Sequence, residues 1–290
     1  MPTQNQIRNP VEWAWDQFKQ TGHAVETTAH TVEGAWEGQD AVAPRVRRIH
    51  AADIGDALAR GFKDFAACRT DVFFLCLIYP VAGLVISRIA IDYGMVALVF
   101  PLVAGFALVG PLFGLGLYEM SRRRERGIAI GWTDALAVVR APAIGSIVVL
   151  GGLLFGLFCL WLFAADLIYT MTLGPDAPVS ATAFARDVLT TPAGWTMISV
   201  GCGVGFLFAL ATMVISVVSF PLLLDRNVGV GTAIAISVRA VVANPGPMAM
   251  WGLIVAGSLV IGAIPLLVGL AIVLPVLGHA TWHLYRKVVN

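Results

Sequence analysis

The sequence is poor in charged residues, and this excludes the usual soluble classes of protein. Of 290 residues only 13% are Asp, Glu, Lys or Arg, whereas 58% are hydrophobic. Soluble domains carry about one quarter charged residues because water must solvate their surfaces. The formal net charge of +1 gives no reason to expect nucleic acid as a partner. We therefore expect most of the surface to face a lipid bilayer.

Residue patterns of common catalytic and metal sites are also missing. The four cysteines, Cys68, Cys76, Cys159 and Cys202, form no CxxC pair, so we expect inert, mostly buried thiols rather than a disulfide framework or a zinc site. We find no HExxH, no Ser-His-Asp arrangement, no paired carboxylates and no glycine run in a phosphate-binding context. The sequence predicts no enzymatic activity, no cofactor and no bound metal.

Long apolar runs predict an all-α membrane bundle of about six spans, arranged as three hairpins. Crossing a bilayer takes about 20 apolar residues. Four runs of that length extend from about Val72 to Ile91, Met95 to Tyr118, Ala143 to Met171 and Trp195 to Leu224. The last apolar stretch, from about Met248 to Leu284, would be about 55 Å long as one helix. We expect it to turn near Gly262 to Pro265 and to form two short spans.

Basic residues predict the orientation of these spans. They concentrate before the first span, in the second-to-third and fourth-to-fifth connections, and in the tail, while the opposite connections hold almost none. Because basic loops stay in the cytoplasm, we expect a multi-pass protein of a bacterial inner membrane with both termini cytoplasmic. The first forty residues lack a basic start followed by an apolar run, so we expect no cleavable signal peptide.

A short amphipathic segment precedes each predicted pair of spans. Candidate N-caps of the three segments are Asp56, then Thr133 or Asp134, then Thr232. The ends of the first and third pairs also match, with Gly105, Ala107, Pro111, Gly114 and Tyr118 corresponding to Gly269, Ala271, Pro275, Gly278 and Trp282. We infer a threefold internal repeat of an interfacial cytoplasmic helix followed by a helical hairpin.

Two motifs resemble an uncharacterised family of bacterial integral membrane proteins. The first is the run Gly105-Phe106-Ala107-Leu108-Val109-Gly110-Pro111 leading to Tyr118-Glu119-Met120-Ser121-Arg122-Arg123. The second is the ending Pro275-Val276-Leu277-Gly278-His279-Ala280-Thr281-Trp282-His283-Leu284-Tyr285-Arg286. The likeness covers about residues 48–288. The family has no established activity, so the resemblance implies membrane topology alone.

The N-terminal arm, residues 1–45, is predicted as a unit separate from the membrane domain, residues 46–290. Apolar residues recur in it at spacings of four and three, which predicts a seam along one helix face. The seam residues are Val11, Trp15, Phe18, Val25, Val32 and Trp36. Residues 11–40 hold six acidic residues and one basic residue, so an anionic leaflet does not attract the arm. We expect it to bind a partner subunit; docking on its own bundle and a frayed helix are the alternatives.

Two histidines near the end of the sixth predicted span are candidate ligands. His279 and His283 lie one helical turn apart, so they share a face. They offer two metal ligands or a haem ligand, but a site would need further ligands from other helices. We expect them instead to join Trp282 and Tyr285 in an aromatic and basic belt at the membrane interface.

Two charged residues fall inside predicted spans. Arg88 lies four residues before Asp92, so the two can pair near the outer end of the first span. Asp166 lies near the outer end of the third span, where it is a candidate proton-coupling carboxylate. An interfacial position or a helix-to-helix hydrogen bond is the alternative for Asp166.

The leading hypothesis for function is a non-catalytic accessory subunit or scaffold of a larger membrane assembly, of an energy-transducing kind. Its partners would be membrane lipids and other membrane protein subunits. The alternative is a transporter or lipid-handling protein, in which the repeat lines a path and Asp166 or Arg88 provides the polar contact.

Overall fold

The computed structural model describes residues 44–290, except residues 93, 129–131, 142, 177, 179 and 266. Within this range the side chains of residues 68–80, 132–134 and 136 are also outside the description. Residues 1–43 of the predicted arm therefore lie outside the described residues, and with them the seam of Val11, Trp15, Phe18, Val25, Val32 and Trp36.

The described residues form helices and connections, with one isolated antiparallel bridge between Val46 and Val289. The helices are α1 (Ala51–Asp92), α2 (Val96–Phe113), α3 (Leu115–Glu125), a 3₁₀ helix (Trp132–Arg140), α4 (Ile144–Thr172), α5 (Ala181–Thr190), α6 (Pro192–Ser216), α7 (Ser219–Asp225), α8 (Val230–Ala243), α9 (Pro245–Ala263) and α10 (Leu270–Val288). Four stretches of the described chain are long and apolar enough to cross a membrane, namely Val96–Glu125, Ile144–Thr172, Pro192–Asp225 and Pro245–Ala263. The all-α membrane class is thereby confirmed, while the count of six spans and their hairpin arrangement stay predictions.

Helix α1 is continuous over 42 residues and contains both the predicted interfacial segment and the first predicted span, so within the described residues these two are not separate helices. The backbone N–H of His50 donates to the carboxylate of Asp53 over 2.9 Å, which satisfies one free amide at the helix start. The prediction that Asp56 caps this helix is therefore wrong, because Asp56 lies one turn further in and pairs with Arg60. Thr232 is likewise inside α8, whose N-cap is Gly229.

The apolar stretch at the end of the chain divides where the sequence predicts. Helix α9 ends at Ala263 and α10 begins at Leu270, with turns between them. The two helix ends approach closely, since a Cβ atom on Gly269 would lie 2.8 Å from the Cα atom of Gly262. The break is confirmed. Whether α10 crosses the membrane stays a prediction.

Large apolar side chains on α2, α4, α6 and α9 point away from the rest of the protein. Examples with their exposed fractions are Phe100 (71%), Phe163 (66%), Phe206 (65%) and Leu253 (74%). Contact of such a surface with lipid is favourable, whereas its exposure to water would raise the free energy of the protein. Cys159 and Cys202 are also exposed, so the prediction that these thiols are buried is wrong.

The buried core lies toward one end of the bundle. All residues from Ser219 to Leu224 in the short helix α7 are buried there. Helix α10 packs along the first half of α1, the 3₁₀ helix packs on α3, and α8 packs on α7. We call this the basic end, because it holds Arg122–Arg126 and Arg286. It positions the polar cluster described next.

Candidate functional site

A cluster of polar side chains, three of them buried, joins α1, α3 and α10 at the basic end. We call it the Asp64 cluster, and its members are Asp64, Ser121, Arg124, His279 and His283. Asp64 is 6% exposed, Ser121 1% and His279 0%. Helical spacing explains the convergence: the two histidines lie four residues apart on α10, and Ser121 and Arg124 lie three apart on α3.

The Asp64 carboxylate receives donors from three helical positions. The Ser121 hydroxyl donates to Oδ2 over 2.7 Å, and Nε2 of His283 lies 2.8 Å from the same oxygen. Nε of Arg124 lies 3.1 Å from Oδ1. A buried carboxylate held by several charge-assisted hydrogen bonds is stable only while all its donors remain in place. The cluster therefore fixes the positions of α1, α3 and α10 relative to one another.

The hydrogen-bond pattern also assigns the protons on His279. Its Nδ1 lies 2.8 Å from the Ser121 oxygen, which already donates its own proton to Asp64. The serine oxygen therefore accepts from Nδ1–H of His279. Because this ring is completely buried, its neutral form is favoured over the charged one.

Electrostatics keep Asp64 ionised. Burial alone would raise the pKa of Asp64, but hydrogen bonds from His283 and Ser121, together with attraction to His283, outweigh burial. The net effect lowers its pKa below the ordinary value of 3.8. A carboxylate whose pKa is lower in the folded state stabilises that state above its unfolded pKa. This contribution is lost as the pH falls through the folded pKa.

We therefore expect an acid-dependent loss of stability that Asp64→Asn does not share. The wild-type protein should lose this contribution below about pH 4, the ordinary pKa of an aspartate. Thermal unfolding of the detergent-solubilised protein, followed by circular dichroism between pH 7 and pH 3, measures it. The gap between the unfolding temperatures of the two proteins should narrow toward pH 3. A gap that stays constant would contradict the assignment of Asp64 as the ionised centre.

Further ion pairs surround the cluster and connect α3 to α7. Glu119 is 3% exposed, and its Oε1 accepts from Nε of Arg123 over 2.8 Å and from Nη2 of Arg122 over 3.2 Å. Arg122 also donates to the backbone carbonyl of Leu224 at the end of α7 over 2.6 Å. In the sequence these arginines indicate the orientation of the spans. In the structure they also stabilise the packing of α3 on α7.

The aromatic belt predicted near the chain end is not observed. Trp282 and Tyr285 are each 1% exposed, so they lie inside the protein rather than at its lipid-facing rim. The Trp282 indole N–H donates to Glu125 over 3.1 Å, and the Tyr285 hydroxyl donates to Asp225 over 2.9 Å. Tryptophan and tyrosine can be buried in a core as readily as they lie at a membrane interface, provided that the core contains a hydrogen-bond partner for their polar atom. The belt prediction is wrong for this reason.

The two charged residues of the predicted spans lie apart from the Asp64 cluster. Arg88 and Asp92 pair at 3.1 Å on the exposed side of α1, which confirms the predicted pairing. Asp166 lies at an exposed position of α4. The structure therefore does not bring Arg88 and Asp166 together with His279 and His283.

Sequence reasoning missed Asp64 and Ser121, the residues that give the histidines their role. His283 and Asp64 are 219 positions apart, so no local spacing connects them. Ser121 directly precedes an arginine run that carries its own topological meaning. Helix α1 holds five aspartates, so its composition did not single out Asp64.

The side-chain oxygen of Ser121 forms hydrogen bonds only within the cluster. The Ser121 oxygen is buried and hydrogen-bonded on two sides, so a substrate would reach it only after the helices separate. Among the described residues, no three His, Cys, Asp or Glu side chains are placed to hold a metal ion. His279 and His283 thus face a carboxylate and a hydroxyl.

Comparison with known proteins supports the resemblance over part of its predicted range, because the second motif lies outside the match. Residues 99–225 match the family described as "Predicted integral membrane protein (DUF2189)". The match covers α2 to α7 together with the first of the two motifs. No curated protein and no solved structure matches the chain at a significant level.

Proposed function

From the match of residues 99–225 to predicted integral membrane proteins, we propose that this chain is a non-catalytic subunit or scaffold of a larger assembly. The assembly would lie in a bacterial inner membrane and be of an energy-transducing kind. The observation that carries the proposal is the Asp64 cluster, in which the polar groups bond to one another and hold three helices together. Such a rigid end offers a fixed platform on which another subunit can dock.

The position of the chain ends supports a contact through the arm. The backbone N–H of Arg47 donates to the Val288 carbonyl over 2.7 Å, and the Asn290 N–H donates to Arg45 over 3.1 Å. Residues 45–47, at the boundary between the arm and the membrane domain, therefore lie beside the C terminus at the basic end. In the proposed mechanism, the spans pack laterally on the partner while the acidic arm contacts its cytoplasmic face.

The test is purification of the protein in a mild detergent at its native expression level, with mass spectrometry of what co-migrates. We expect a stoichiometric membrane partner that is lost when residues 1–43 are deleted. A sharper variant is Trp15→Ser on the predicted seam, and its matched control is Trp13→Ser, which lies off the seam. Trp15→Ser should reduce the recovered partner about tenfold or more, as for a central aromatic contact.

Two outcomes would contradict the proposal, the first its subunit role and the second the contact through the arm. One is migration of the intact chain alone. The other is equal recovery of the partner with the Trp13 and Trp15 variants, which would place the contact outside the seam. In the first case the transporter or lipid-handling alternative becomes the better account.

A further inference from the structure

Several exposed basic residues at the basic end lack the acidic partners that their neighbours have, and three of them also lie beside exposed apolar side chains. Arg122, Arg123 and Arg124 all pair with Glu119 or Asp64. In contrast, Lys63, Arg140 and Arg239 are exposed and make no ion pair within the described part of the chain. Their charge is therefore available to a ligand of opposite sign.

Each of these three bases stands beside a large exposed apolar side chain. Lys63 follows Phe62, which is 58% exposed, and Arg140 follows Val139, which is 70% exposed. Arg239 lies one helical turn before Val242, which is 72% exposed. An exposed apolar group next to an unpaired base matches the boundary of a bilayer, where acyl chains meet charged headgroups.

The fold places the three pairs around the same core. Lys63 lies on the part of α1 that packs along α10, Arg140 ends the 3₁₀ helix that packs on α3, and Arg239 lies on α8, which packs on α7. The last two are close in sequence to a candidate span: Arg140 is four residues before Ile144, and Arg239 is six before Pro245. These two bases therefore lie near the ends of apolar helices that are long enough to cross a membrane.

We propose that Lys63, Arg140 and Arg239 form a three-point binding surface for anionic phospholipid headgroups around the basic end. Each base binds a headgroup phosphate while the adjacent Phe62, Val139 or Val242 inserts among the acyl chains. An anionic leaflet attracts basic residues near its surface, whereas an uncharged leaflet attracts them only weakly. The surface does not depend on the proposed subunit role and would act in the isolated protein.

The test compares lipids that differ in headgroup charge. The full chain in detergent is mixed with phosphatidylglycerol or phosphatidylcholine of the same acyl chains, and bound lipids are counted by native mass spectrometry. We expect up to three lipids bound with a preference for phosphatidylglycerol, and a loss of that preference by about tenfold or more in the triple variant K63Q/R140Q/R239Q. Arg186→Gln is the matched control, because Arg186 is equally exposed but lies on α5, in the connection between two candidate spans at the other end.

Several outcomes would overturn the proposal. These are equal binding of the two lipids by the full chain, or an unchanged preference in the triple variant. If the triple variant does not fold, the three single variants carry the test, and each should lower the preference about threefold. A preference that appears only after deletion of residues 1–43 would show that the acidic arm, and not lipid, occupies this surface.

Discussion

Replacement of Trp282 by alanine is expected to lower the free energy of unfolding by about 3–5 kcal/mol, as for other large aromatic residues removed from packed cores. The side chain is 1% exposed, and its ring centroid lies 5.4 Å from that of Tyr285. The change leaves a cavity and also removes the hydrogen bond from the indole to Glu125. Titration of the detergent-solubilised protein with SDS, followed by circular dichroism, measures the change in the unfolding free energy.

Trp195→Ala is the matched control for this substitution. Trp195 is 57% exposed at the start of α6, and its indole donates to the backbone carbonyl of Leu189. Its loss should cost less than about 1 kcal/mol, because a mostly exposed side chain leaves no cavity. If Trp282 belonged to an interfacial belt, the two variants would behave alike. Equal small effects would therefore restore the belt interpretation.

The apolar helices were predictable from sequence because lipid imposes a simple rule on them. Three of the predicted spans correspond to Val96–Glu125, Ile144–Thr172 and Pro192–Asp225, with starts that differ by three residues or fewer. The break in the last apolar stretch was also predictable, since no single helix of that length fits a bilayer. These features depend on local composition alone.

The interfacial segments were predicted less well because their boundaries depend on capping. The acidic Asp56 has the residue type of an N-cap, but the chain turns into α1 earlier, at His50 and Asp53. A good cap residue inside a helix is common when its side chain finds another partner, here Arg60 and Lys287. Helix α5 was not predicted, because its ten residues lie in a polar connection between two apolar runs.

The Asp64 cluster could not be predicted because its members come from three distant parts of the chain. The spacing of His279 and His283 indicated a shared helix face, and that much is observed. Which residues contact this face depends on how α1 and α10 pack. A single sequence does not reveal which helices pack together. The sequence therefore favoured a belt over a ligand pair for these histidines and did not predict a buried cluster.

A single glycine controls the approach of α1 to α10, and Gly61→Ala is expected to disrupt it. A Cβ atom on Gly61 would lie 2.6 Å from the backbone nitrogen of Ala280 and 2.8 Å from its Cα atom. The two helices must then separate, because backbone atoms cannot rotate out of the way as a side chain can. Overpacking of a tight site costs about 1–3 kcal/mol and sometimes more, and we expect about 3 kcal/mol here.

The expected consequence extends to the Asp64 cluster, since Gly61 lies one turn before Asp64 on the same face of α1. Separation of the helices would lengthen the 2.8 Å contact between Asp64 and His283, so the Gly61 variant should also lose the acid dependence assigned to Asp64.

Gly55→Ala is the matched control in the same helix, where an added Cβ meets nothing within 4 Å. It should stabilise the protein by up to about 1 kcal/mol through helix propensity. The double variant G61A/A280G should recover only part of the loss, because the backbone contacts remain; full recovery, or equal stability of the Gly55 and Gly61 variants, would show that the helices do not pack this closely.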